Sequence, residues 1–260
     1  MELSLKDRRV LITGGSSGIG RGIALAATRA GARIGFNYHS DPAGAEESQR
    51  QIEAAGGQAV YRKADVSDPS DVAALFTMMD EAWGGVDVLV NNAGIDGVRA
   101  KVWEGEAADW KKVIDVNLMG TYYGIKEATA RMVPRGSGVI VNISSVHETI
   151  PWGGHSAYCA AKAGIGIMVR SLALELADSG VRILSLAPGA IKTEINEDVW
   201  SDPAQLKDLK KKMPVNRMGT VEEIGNVAVM LMSDASSYIT GTTLYVDGGM
   251  TCYPSFAAGG

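Results

Sequence analysis

Cysteine and histidine are scarce: two Cys and three His in 260 residues. Cys159 and Cys252 lie far apart and form no CxxC, so the sequence offers neither a disulfide framework nor a zinc-binding pair. His39, His147 and His155 form no HExxH pattern, which leaves a metal-activated mechanism little to build on. Clustered positive charge is also missing. The net charge is -5, and affinity for a phosphate backbone needs grouped Lys and Arg, so a nucleic-acid partner is not expected. The one basic run, Lys207 to Lys212, is interrupted by Asp208 and Leu209 and reads as a solvated helix face. No run approaches the ~18 consecutive apolar residues that span a bilayer. Residues 1–7 carry Glu2, Lys6 and Asp7 where a signal peptide would have an apolar core. The expected setting is cytoplasmic and reducing, with no membrane partner. No repeat, low-complexity tract or Pro-rich linker divides the chain, so residues 1–260 are expected to form one domain.

What is present is alternation. Short β-rich apolar runs occur at 9–13, 33–38, 59–63, 86–91, 138–144, 181–187 and 243–246. Between them, 20–30, 43–55, 69–83, 107–132, 157–176 and 221–232 have the length and apolar spacing of amphipathic helices. Parallel strands need crossover connections, and these cover both sheet faces. The pattern predicts an α/β fold: a Rossmann-type doubly wound parallel sheet of about seven strands, with helices on both faces. Ligands in such sheets sit at the carboxyl ends of the strands. The least regular stretch, 192–214, is polar and flanked by Pro188-Gly189 and Pro214, and is expected to act as a substrate lid.

Directly after the first strand run comes Thr13-Gly14-Gly15-Ser16-Ser17-Gly18-Ile19-Gly20, and a helical pattern follows at once. Glycines there let backbone approach a pyrophosphate, and the helix N-terminus offers free N–H groups and partial positive charge. Later, Tyr158-Cys159-Ala160-Ala161-Lys162 places a phenol and an ammonium four residues apart on one helix face. A free tyrosine has a pKa near 10, so a nearby cation is needed to favour the phenolate. Ser145 closes the fifth strand run, where its hydroxyl can meet a reacting oxygen.

The Gly-x3-Gly-x-Gly spacing, the Asn91-Asn92-Ala93-Gly94 tetrapeptide and the Asn117, Ser145, Tyr158 and Lys162 set together resemble the short-chain dehydrogenase/reductase family over nearly the whole chain. The resemblance implies NADP- or NAD-dependent hydride transfer. In it, Tyr158 is acid or base, Lys162 lowers the pKa of Tyr158 and binds the nicotinamide ribose, Ser145 polarises the substrate oxygen and Asn117 holds a relay water. It also implies a cofactor bed made of Gly14, Ser16, Ser17, Gly18, Ile19 and Gly20 at the pyrophosphate. Tyr38, His39 and Ser40 would meet the ribose, Asp65 and Val66 the adenine, and Asn91, Ala93 and Gly94 would flank it. Pro188, Gly189, Ile191 and Thr193 would cover the nicotinamide. An acid at the end of the second strand would repel a 2′-phosphate, and Asn37-Tyr38-His39-Ser40 has none, so NADP or dual use is expected. Residues 144–152 and 247–256 resemble the bacterial glucose 1-dehydrogenase branch of the family, which implies a sugar substrate contacted by Asp96, Ser145, His147, Tyr158, Asn196 and Tyr253, in a homotetramer. A 3-oxoacyl-carrier-protein reductase or other carbonyl reductase, and a non-catalytic dinucleotide-binding protein, are the alternatives.

Overall fold

In the computed structural model, which describes residues 3–252, all seven expected strands form. They are β1 (Arg9–Ile12), β2 (Arg33–Tyr38), β3 (Gln58–Lys63), β4 (Val88–Asn91), β5 (Gly138–Ile143), β6 (Val181–Pro188) and β7 (Thr243–Val246). Every pairing is parallel, in the order β3-β2-β1-β4-β5-β6-β7. The strands alternate faces as their pleat requires. Val10 and Ile12 pack into one core with Phe36, Val88 and Val90, whereas Leu11 joins Leu89, Ile140 and Ile183 in the other.

The crossovers are α1 (Gly18–Arg29), α2 (Pro42–Ala54), α3 (Pro69–Trp83), α4 (Ala107–Ile114), α5 (Gly120–Arg135), α6 (Ser156–Glu175), the short α7 (Glu197–Ser201) and α8 (Pro203–Lys210), and α9 (Val221–Met232). Helices α1 and α9 cover the first core, and α3, α5 and α6 the second. By length and mean hydropathy, 1.3, α6 passes for a membrane span. Ala161, Ile165 and Val169 nevertheless bury one side of it against the sheet core.

Two expectations are corrected. The single helix expected over 107–132 is interrupted by a π turn, Asp115–Met119. The buried Asn117 is drawn onto the Ile95 backbone there, and its own carbonyl accepts the Thr121 hydroxyl at 2.7 Å. The stretch 192–214 is not irregular either: it holds a 3₁₀ turn (Glu194–Asn196), α7 and α8. These form because Thr193 and Asn196 make a capping box and Asp202 caps α8 ahead of Pro203. They bury no residue, so they lack the apolar stripe that betrays a helix in sequence.

Candidate active site

Strand order reverses between β1 and β4, and the crevice at that switch point opens into a cleft of about 1790 Å³ along the carboxyl ends of the strands. The glycine loop forms its central wall. Gly14 and Gly18 have φ of 67° and 53°, a region costly for other residues. Gly20 is fixed by space instead, since a Cβ there would overlap the Gly14 carbonyl oxygen. Ser17, the N-cap of α1, makes no side-chain cap bond. The N–H groups of the first turn thus face the cleft without a capping acceptor, a fitting seat for the pyrophosphate of a dinucleotide. From this seat the cleft runs past Tyr38, His39, Ser40, Asp65 and Val66 on one side. On the other it reaches Ala93, Gly94, Pro188, Gly189, Ile191 and Thr193.

Three residues outside the expected site set hold the loop in shape. Asn92 donates to Thr13 O at 2.9 Å and Gly14 O at 3.0 Å. Asn37 accepts from Gly14 N at 3.0 Å and donates to Ala64 O at 2.9 Å, tying the loop to the segment after β3. Arg21 donates to the carbonyls of Ser16 and Gly44 and to Ser48 Oγ. The sequence signals for such a role are a polar Asn inside the apolar run of β2 and the second Asn of the Asn91-Asn92-Ala93-Gly94 tetrapeptide.

The candidate chemistry sits where β5 gives way to α6. Ser145 stands two residues beyond β5 in extended backbone, and its Oγ accepts from His147 N at 3.2 Å. Tyr158 and Lys162 share one face of α6, with Lys162 Nζ 5.5 Å from the phenol ring centroid and donating to Ile143 O at 2.8 Å. Burial pushes the Tyr158 phenol up to about 12, and the neighbouring Ser145 hydroxyl opposes that shift. Burial also pushes Lys162 down to about 8, against the pull of Asp96 and Glu148. Burial, and not the lowering expected from Lys162, is the dominant influence on the phenol. Both groups are desolvated, and desolvation disfavours whichever form is charged.

On the substrate side, Trp152 is sandwiched between His147, with ring centroids 4.6 Å apart, and His155, 3.8 Å apart; its edge meets Tyr158 at 5.9 Å. His147 Nδ1 pairs with Ile150 O at 3.0 Å, and burial lowers the His147 pKa. His155 is held to Asp96 O at 3.3 Å, so this wall and the exposed Asp96 are joined. Neither His155 nor Trp152 is among the site residues that the sequence predicts.

Two of the expected site residues, Asn91 and Asn117, do not line the cleft. Asn91 lies inside the sheet and donates to Asn142 Oδ1 at 2.9 Å; its neighbour Asn92 faces the cleft instead. Asn117 spends its amide on the backbone of Ile95, at 2.8 Å for both bonds, and does not line the cleft. Asn196 does line the cleft, but its amide is bound to Thr193 and to Ile191 O, which makes it a brace of the segment that follows β6. Tyr253 lies outside the described residues.

Against known proteins, a family model described as enoyl-(acyl carrier protein) reductase matches residues 14–251. The chain is 44% identical over 256 residues to 3beta-hydroxysteroid dehydrogenase 1 of Eggerthella lenta, covering 98% of each. It is 43% identical over 256 residues to glucose 1-dehydrogenase 2 of Bacillus subtilis, covering 98% of this chain and 99% of that one. A crystal structure of a gluconate 5-dehydrogenase from Burkholderia cenocepacia, in complex with NADP and tartrate, superposes with a TM-score of 0.90 at 34% identity. That match covers 97% of this chain and 98% of the other.

Proposed function

The chain belongs to the short-chain dehydrogenase/reductase family, and on that premise we propose that it is a sugar dehydrogenase. Its proposed reaction takes β-D-glucose or a closely related sugar at the anomeric hydroxyl to the lactone, with NADP or NAD. The observation that carries this reading is the placement of Tyr158 and Lys162 on one helix face beside Ser145, in a cleft that begins at the uncapped N-terminus of α1. A bound nicotinamide supplies the hydride acceptor. Tyr158 exchanges the proton with the substrate oxygen, the Ser145 hydroxyl donates a hydrogen bond to that oxygen, and Lys162 brings positive charge to the phenol and the cofactor ribose.

Support for a sugar comes from the 43% identity to the Bacillus subtilis enzyme and from Asp96 and His147, polar groups at the substrate end that suit hydroxyls. A second reading, a fused-ring secondary alcohol, is favoured by the flat Trp152 wall, by Ile195 and Val199 across the cleft, and by the 44% identity to the steroid enzyme. A panel of sugars, polyols, hydroxysteroids and ketoesters, followed at 340 nm with each cofactor, separates them. A sugar is expected to exceed any hydroxysteroid by at least about tenfold in kcat/KM. The reverse ranking gives the second reading, and turnover of none rejects both.

Use of NADP is supported by the end of β2, where Asn37 turns inward and Tyr38, His39 and Ser40 line the cleft. The next acid, Asp41, caps α2 by accepting from Gly44 N at 2.8 Å, and His39 lies 3.6 Å from Asp65. The proposed assembly is a cytoplasmic homotetramer. Large hydrophobic side chains left exposed on α4, α5, α6 and β7, among them Trp110, Tyr122, Ile167, Leu174 and Leu244, support it. Light scattering is expected to give the mass of four chains; the mass of one overturns the assembly.

A further inference from the structure

Glu148 has no part in the proton transfer just described, yet it is built into the wall behind it. It closes the 3₁₀ turn that follows Ser145, and its N–H donates to Ser145 O at 2.9 Å. Its carboxylate is gripped from two strand ends. Ser144 Oγ donates to Oε2 at 2.6 Å, and Thr243 Oγ1 of β7 donates to Oε1 at 3.0 Å. Helix α6 makes room for it at Gly166, where a Cβ would overlap Glu148 Oε1. Gly166 lies four residues after Lys162, one turn along the same face. The carboxylate thus stands between the strand end that carries Ser145 and the helix face that carries Lys162. Thr243 Oγ1 lies 3.3 Å from Oε2 as well, so the single oxygen of a Gln at this position can accept from both hydroxyls, and the chief thing Glu148 adds over Gln is charge.

We propose that Glu148 is a positioning residue of the reaction: its hydrogen bonds fix the backbone on which Ser145 stands, and its charge holds Lys162 as an ammonium beneath the cleft. The inference rests on the roles proposed above for those two residues. The titratable groups facing Lys162 are Tyr158 on its own helix, Asp96 from the loop after β4, and Glu148. Around Glu148 stand Tyr245 of β7 and, beyond it, Arg170 of α6 and Asp247. Of the two carboxylates Asp96 has the larger pull on Lys162, but it is exposed at the substrate side, where water and bound substrate screen it. Glu148 reaches Lys162 from the protein side and keeps its effect whatever fills the cleft. Burial alone drives Lys162 toward the neutral form, so a fixed anion is what it requires.

The test is a carbon NMR titration of protein labelled at lysine Cε, with the Lys162 resonance identified by its loss in Lys162→Arg. The wild-type midpoint is expected near 8. In Glu148→Gln it falls by about one pH unit, while Ser144→Ala, which keeps the charge, leaves it in place. With a substrate that the wild type turns over, Glu148→Gln lowers kcat at alkaline pH and leaves KM unchanged. An unmoved midpoint in folded Glu148→Gln overturns the proposal, as does an equal shift in Ser144→Ala. Should Glu148→Gln lose its cooperative melt, Glu148→Asp draws the charge back by one methylene, and a smaller downward shift is expected. No shift there overturns the proposal equally. Failure of the wild type to oxidise any alcohol removes the sugar reading without touching the titration.

Discussion

Tyr158→Phe is expected to bind NADP and NAD as the wild type does and to lose about 10²- to 10⁴-fold in kcat, the usual worth of a positioned proton donor or acceptor. The phenyl ring keeps its edge contacts with Trp152 at 5.9 Å and His147 at 6.1 Å, so neither the wall nor the melting temperature should change much. Only the transferable proton and the interaction with Ser145 are removed. Cofactor affinity by calorimetry, beside steady-state kinetics, checks both halves. A kcat within a few fold of wild type would move the proton transfer to another group.

Gly20→Ala is expected to weaken dinucleotide binding by about two orders of magnitude, the equivalent of ~3 kcal/mol. At an ordinary helix position, Gly to Ala gains up to ~1 kcal/mol. At Gly20 the new methyl group would overlap the Gly14 carbonyl oxygen and come within 2.6 Å of Asn92 Nδ2, the group that braces the loop. Both neighbours belong to the turn that presents the α1 N-terminus, so relief of the overlap must displace the pyrophosphate seat. Calorimetric titration with NADP and NAD measures the loss. Unchanged affinity, with melting raised as for an ordinary helix site, would mean that the loop does not hold the cofactor.

The strands were legible because buried parallel strands read as continuous apolar runs, and each begins or ends within two residues of its run. The helices over the core were legible for the matching reason, an apolar stripe facing the sheet. What composition could not show was geometry that depends on single residues. The Asp115–Met119 π turn has helical sequence throughout, and only its contact with Ile95 marks it. Asn91 and Asn92 are indistinguishable as letters. In the structure the pleat sends Asn91 toward its register partner Asn142 and leaves Asn92 for the glycine loop. The pairing of Tyr158 with Lys162 could be read from their spacing, but the depth of their burial could not. That depth sets the direction of both shifts. The Trp152 sandwich brings together His147 and His155, eight residues apart with no periodic signature, and arises from the loop between β5 and α6.

The central claim, that the Tyr158 phenol exchanges the proton while Lys162 supplies charge, is tested most directly by the pH dependence of single-turnover alcohol oxidation at 340 nm. To accept a proton the phenol must be ionised, and burial raises its pKa above the ordinary value, so its ionised fraction grows with pH across the neutral range. Lys162, held near 8, surrenders its charge above that point. The expected wild-type rate rises from neutral pH, at up to about tenfold per unit, and its slope breaks near 8, while Tyr158→Phe is slow and flat. The same rise and break in Tyr158→Phe would contradict the assignment.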